Sequence, residues 1–217
     1  MPAPWPHLRR EGRDLYTENA TPGLRSYGEE LKVVDGREFR HWDPWRSKLA
    51  AYAAREGPPF DPGRTRAVLY LGGAHGTTVS HLSDLLPEAT IFVVEKSATA
   101  FAPLLTLARS RKNLYPILAD AHLPERYRAE VGIVQFLYQD VAQRDQATIF
   151  RENALACLAR DGTGLLMLKI RSVTQRRTVG QILRESEREL SQLGLRTGRP
   201  VELAPFAREH LAIPVTA

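Results

Sequence analysis

The chain has 217 residues, 43% of them hydrophobic, and its 30 lysines and arginines outweigh 25 acidic residues for a formal net charge of +5. That length suits one α/β domain with a modest appendage, and the apolar share is enough for a sizeable core. No apolar run nears the roughly 20 residues of a bilayer span. The opening MPAPWPHLRREGRD lacks the apolar stretch of a secretory signal. Cys157 is the only cysteine, which excludes an internal disulfide and a cysteine-clustered zinc site. These features predict a cytoplasmic protein with no membrane segment and no metal, and Cys157 reads as a buried structural thiol. The positive balance suits a phosphate-rich partner without requiring one.

In chain order, residues 1–45 are rich in proline, glycine and charge, with short extended candidates around LRSYG, LKVVD and REFRHW. VDG at 34–36 reads as a hairpin turn between the last two. This stretch is expected to form a small β-rich domain. RSKLAAYAAR suits a helix, and EGPPFDPGR reads as a connector. From there to the end, residues 46–217 forming the second domain, strand and helix patterns alternate. The strands are AVLYL, TIFVVE, LYPILAD, IVQFLYQD and GLLMLKI, and the tail segments ELAPF and EHLAIPVTA are two further strand candidates. The helices are TVSHLSDLL, FAPLLTLARSR, QRDQATIFRENALACLAR and QILRESERELSQLG. Such alternation predicts an α/β fold, a parallel sheet covered on both faces, with ligands bound beyond the carboxyl ends of its strands.

Those ends collect chemistry. The first strand runs into Gly72, Gly73 and Gly76, which let backbone approach a ligand closely before a helix opens at Thr77-Thr78. The second ends in Glu95, 23 positions past Gly72, a spacing suited to gripping ribose hydroxyls. Asp120, Asp140 and Lys169 end the next three. LGGAHG is not a full G-x-G-x-x-G match, and no P-loop motif is present. Acidic residues at several strand ends would repel a pyrophosphate and favour the sulfonium and ammonium charges of S-adenosylmethionine.

The strings YGEELKVVDGREFRHWDPWRSKLAA, VLYLGGAHGTTVSHLSD, RKNLYPILADA, QDVAQRDQ and PFAREHLAI resemble the fibrillarin family, in its compact archaeal form, in the same order from about residue 27 to about 213. The resemblance implies a Rossmann-like, class I S-adenosylmethionine methyltransferase fold with a small β-rich N-terminal appendage. It implies methylation of RNA ribose 2′-hydroxyls, in rRNA and also tRNA. The family works within a box C/D guide-RNA particle, with a Nop-type scaffold and a kink-turn-binding protein. Its Lys-Asp-Lys-His tetrad falls on Lys48, Asp140, Lys169 and His210. A ribose hydroxyl is a poor nucleophile and needs a group to take its proton, and a lysine does so only where its ordinary pKa of about 10.4 is lowered. Lys169 is the expected base, Lys48 and Asp140 orient and tune, and His210 positions the ribose or its phosphate.

The resemblance also places the cofactor. Gly72 and Ala74 meet its methionine part, Thr77 and Thr78 its carboxylate, and Glu95 its ribose, with Lys96 beside it. Asp120 and Ala121 meet the adenine, with Gln143 near the sulfonium. Three positions depart from the family pattern: His75 for a small serine, Lys96 for an aromatic residue, and Gln135 for an acidic one. Alternatives at this stage are a protein-glutamine acceptor, an RNA acceptor without a guide, and an idle scaffold in an RNA particle. A hydride-transferring dehydrogenase fits less well. Arg109, Arg111, Lys112, Arg171, Arg176 and Arg177 are candidates for an RNA-facing surface that reads phosphate.

Overall fold

A computed structural model describes residues 5, 7–57, 64–170, 178–192 and 194–217. An N-terminal antiparallel sheet of four strands comes first: β1 (Leu8–Glu11), β2 (Asp14–Glu18), β3 (Leu31–Val34) and β4 (Arg37–His41), in spatial order β1-β2-β4-β3. The expected hairpin turn joins β3 to β4 through Asp35 at φ 52° and Gly36 at φ 75°, the paired positive values that a two-residue turn demands. The hairpin β1–β2 is an addition to the sequence reading, and LRSYG is loop rather than strand.

Helix α1 (Lys48–Ala54) follows, with the Ser47 hydroxyl accepting from Ala50 N as its N-cap. Then come β5 (Ala67–Leu71), α2 (Thr77–Leu85), β6 (Thr90–Glu95), α3 (Ala98–Ser110), β7 (Leu114–Leu118), the single-turn α4 (Arg128–Val131), β8 (Val134–Gln139), α5 (Gln146–Cys157) and β9 (Leu158–Lys169). Helix α6 (Val179–Ser191), the short strands β10 (Arg196–Thr197) and β11 (Val201–Glu202), and β12 (His210–Thr216) complete the order. Of the two tail candidates, EHLAIPVTA is a strand, whereas ELAPF contributes only the end of β11.

The second sheet runs β10-β12-β9-β8-β5-β6-β7, with β5 through β9 parallel and β12 antiparallel against β9. Val68, Leu69 and Leu71 of β5 are fully buried, as an unalternating apolar run predicts for a strand covered on both sides. The winding reverses between β5 and β8. Connections leave these neighbours in opposite directions, and a crevice opens beyond their carboxyl ends. One core face is shared: Leu15 and Trp42 of the N-terminal region pack in the same apolar cluster as Leu49, Val79 and Leu82. Cys157 is buried, and burial raises its thiol pKa, which agrees with a structural role. Among the described residues, no helix is long and apolar enough to cross a membrane.

Candidate active site

The crevice holds two adjoining cavities. One, of about 210 Å³, has walls from Glu95, Lys96, Ala119, Ala121 and Gln143. The other, of about 320 Å³, is bounded by Lys48, Thr77, Thr78, Asp140, Lys169 and His210. Gly72, Ala74 and Asp140 belong to both. Gly72 has φ +87°, and a Cβ there would lie 2.4 Å from the Asp140 carbonyl oxygen. Only glycine satisfies both the left-handed backbone and that approach. Gly76, at φ 86°, starts α2 with no side-chain cap, which leaves the first-turn N–H groups available to an anion.

Four elements deliver the reactive side chains. Lys48 is the first residue of α1, Asp140 follows β8, Lys169 ends β9, and His210 begins β12. The antiparallel register pairs His210 directly with Lys169. Lys48 Nζ donates to Asp140 Oδ2 at 2.8 Å. Burial pushes the His210 imidazole down to about 4, and the cations Lys48 and Lys169 reinforce this against the opposing pull of Asp140. Its ring is therefore neutral at neutral pH, a hydrogen-bonding group rather than a third cation.

Gln146 enters here without having been singled out in the sequence. Its Oε1 accepts from Lys169 N at 2.8 Å and its Nε2 donates to Lys169 O at 3.2 Å. Gln139 Nε2 in turn donates to Gln146 O at 2.7 Å. The backbone of Lys169 is thus held in a buried amide clamp. The signal was present in QDVAQRDQ, where one glutamine ends an apolar strand and two more follow it, but its target is a backbone that no spacing rule names. Ser47 was missed similarly: the Thr78 hydroxyl donates to its Oγ at 3.0 Å and so ties the two helices beside Lys48.

The expected cofactor positions mostly converge. Glu95 holds the loop, its Oε2 accepting from Ala74 N at 2.9 Å and its Oε1 from Ser97 N at 2.7 Å. Thr77, Thr78, Lys96, Ala121 and Gln143 all line the crevice. Asp120 differs. Ala119 and Ala121 form the wall while the Asp120 carboxylate accepts from the backbone N–H of His122 at 3.0 Å and pairs with its ring at 2.7 Å. Those bonds lower the Asp120 pKa, and the same contact raises that of His122. Gln135 stands apart from the crevice. Its Oε1 accepts from Arg66 N and Ala67 N at the start of β5, at 3.0 and 2.9 Å. Both bonds need only an acceptor, which the amide oxygen supplies.

Among the proposed RNA-facing cations, Arg111 is corrected. It is 2% exposed, and its Nη1 donates to Asp84 Oδ1 at 2.6 Å, because burial of α3's end demands a paired charge there. Arg109 and Lys112 are exposed, and Arg171, Arg176 and Arg177 lie outside the described residues.

The fibrillarin family model matches residues 6–217. The chain belongs to the fibrillarin family. A curated relative, the fibrillarin-like rRNA/tRNA 2′-O-methyltransferase of Methanothermobacter thermautotrophicus, is 41% identical over 201 residues, 93% of this chain and 90% of the relative. Aeropyrum pernix fibrillarin, crystallised with natively bound S-adenosyl-L-methionine, matches with a TM-score of 0.86 and 38% identity over 94% of this chain and 89% of that one. A fibrillarin from a fibrillarin/Nop5p complex matches at TM-score 0.86 and 36% identity, with 97% of both chains covered.

The crevice fits S-adenosylmethionine on its own terms. Gln143 Oε1 is buried without a partner beside the first cavity, an acceptor awaiting a donor. Acidic Glu95 and Asp140 flank the space where positive charge would sit, while the uncapped start of α2 offers donors to a carboxylate.

Proposed function

We propose that this fibrillarin-family chain methylates RNA ribose 2′-hydroxyls, in rRNA and tRNA, with S-adenosylmethionine as donor. The observation that carries the reading is the meeting of Lys48, Asp140, Lys169 and His210 at one cavity that adjoins a glycine-lined slot. When bound, the cofactor supplies an electrophilic methyl group on a sulfonium. Gly72, Ala74 and the start of α2 at Thr77 and Thr78 would hold its amino-acid end, Glu95 and Lys96 its ribose side, the wall at Ala121 beside Asp120 its adenine end, and Gln143 the sulfonium side.

The residues divide the remaining work. Lys48 is committed to Asp140 by their ion pair, which leaves the Lys169 amine to accept the 2′-hydroxyl proton as the oxygen attacks. Asp140 keeps a negative charge beside the slot. Neutral His210, registered opposite Lys169, donates or accepts a hydrogen bond that aims the ribose. Gln146 fixes the backbone that carries the base.

The same proposal treats residues 1–45 as a small β-rich domain and 46–217 as the methyltransferase domain, in a cytoplasmic protein. It places the chain in a guide-RNA particle with a Nop-type scaffold and a kink-turn-binding protein. The guide supplies sequence, and the protein supplies the chemistry. Transfer of a labelled methyl group to RNA, with and without guide and scaffold, followed by digestion to nucleosides, tests this. Label on 2′-O-methyl nucleosides is expected, and label on bases or on protein alone overturns it.

A further inference from the structure

Arg46 borders the tetrad cavity two residues before Lys48, exposed and paired with no carboxylate among the described residues. Asp43, the nearest acid in the chain, has its Oδ1 accepting from Trp45 N at 2.8 Å. The guanidinium of Arg46 is placed rather than loose, with its central carbon 4.7 Å from the centroid of the Tyr27 ring. The Tyr27 hydroxyl lies 2.7 Å from His81 Nε2 and 3.1 Å from His41 O, which ties that ring to α2 and β4. Charge decides what such a cation faces. Arg46, Lys48 and Lys169 border the cavity against a single carboxylate, Asp140, among the described residues. S-adenosylmethionine would add further net positive charge, since its sulfonium and ammonium outnumber its carboxylate. The pocket is short of negative charge, and the substrate can supply it. A ribose carries its 2′-hydroxyl and its 3′-phosphodiester on adjacent ring carbons, so delivering one brings the other. Lys48 Nζ is held by Asp140 at 2.8 Å, and Lys169 needs a free amine to take the proton. Arg46 is the cation left for the phosphate, and its planar fork matches two non-bridging oxygens.

We propose that Arg46, seated on Tyr27, grips the phosphate 3′ of the target nucleotide and so aims the 2′-hydroxyl at Lys169. The inference rests on the ribose-methylation reading and deepens it. A phosphate contact carries no base information, so it serves every target alike. It also leaves the target base free to pair with a guide, because the backbone lies outside the pair.

The test uses the assembled guide-RNA particle and substrate RNAs carrying a single Rp or Sp phosphorothioate at the linkage 3′ or 5′ of the target. Arg46→Ala should lower the single-turnover rate at saturating RNA roughly tenfold. The Kd of the donor and the melting temperature should change little, and Arg46→Lys should recover only part of the rate. One 3′ diastereomer should slow the wild type about threefold and slow Arg46→Ala no further. An unchanged rate in Arg46→Ala, sulfur effects equal in both proteins, or an Arg46-dependent effect at the 5′ linkage alone overturns the assignment. So does a fall in melting temperature or donor affinity that accounts for the whole loss, which would make Arg46 a structural residue. Wild-type particles that leave the ribose unlabelled would instead sink the ribose-methylation reading. The phosphate contact is then decided by iodine cleavage of the sulfur-substituted RNA in particles without donor. Protection of the 3′ linkage in the wild type but not in Arg46→Ala upholds it, and equal cleavage in both refutes it.

Discussion

Two clusters of charge in this molecule use the same residue types to opposite ends. Beneath α2, Arg40 Nη1 donates to Asp84 Oδ2 at 2.7 Å with both side chains fully buried, and Arg40 Nε donates to Glu29 Oε1 at 2.6 Å. Arg111 reaches Asp84 from the other side. The Thr17 hydroxyl donates to Asp84 at 2.8 Å and lies 2.7 Å from His81 Nδ1, which must then carry the proton, leaving Nε2 to face the Tyr27 hydroxyl. Burial drives the His81 pKa well down. This cluster stitches β2 and β4 to α2, the helix whose other end starts at the glycine loop. At the crevice, by contrast, Lys48 and Asp140 stay partly exposed, at 29% and 18%, and Lys169 pairs with no carboxylate among the described residues. Full pairing gives an anchor, and incomplete pairing leaves groups free to exchange a proton with a substrate.

Breaking the anchor should produce the largest effect. Asp84→Ala takes the paired carboxylate from buried Arg111 and leaves buried Arg40 with Glu29 alone, and should cost about 3–5 kcal/mol, read as a collapse of the denaturant midpoint. If instead stability is retained, the anchor reading fails. Lys169→Ala should do the reverse: single-turnover methyl transfer falls by roughly 100-fold or more, with the melting temperature little changed. Gln146→Ala tests whether the base needs a fixed backbone. It should lower kcat roughly tenfold with KM for RNA near wild type, and Gln146→Glu should not restore it, because a carboxylate cannot donate to Lys169 O. The smallest effect is the pH response. Burial holds the folded-state pKa values of His81 and His210 below the ordinary 6.5 of an imidazole, His210 at about 4, so the unfolded chain binds more protons between those limits. Their stabilisation is complete above pH ~6.5 and is lost as pH falls toward 4. Thermal midpoints measured from pH 8 to 4 should be level and then decline, and His210→Asn should lessen the decline.

Much of the parallel sheet was legible because its strands are apolar runs bounded by turn residues. AVLYL and TIFVVE coincide with β5 and β6. The crevice charges were legible because Glu95, Asp140 and Lys169 interrupt such runs at the same end. Short antiparallel elements were harder. LRREGRDLYTE forms the β1–β2 hairpin, yet its charged pattern gives no alternation to follow. The start of β9 was hidden too: the helical pattern of QRDQATIFRENALACLAR continues through Arg160, whereas α5 ends at Cys157 and the chain from Leu158 lies extended against β8 with a bulge. Arg40, Asp84 and Arg111 look like ordinary surface charges until tertiary packing closes over them. Asp120 was placed on the right edge, but its partner His122 lies two residues on and turns its carboxylate aside.

The reversal of winding between β5 and β8 has a consequence for variation. The slot exists because two connections part, not because particular side chains carve it, so its position is inherited from the topology while its lining is open to change. His75 and Lys96 line this crevice, at its loop and its wall. Replacements at such positions retune how firmly a guest is held without moving its berth, which the strand order alone sets.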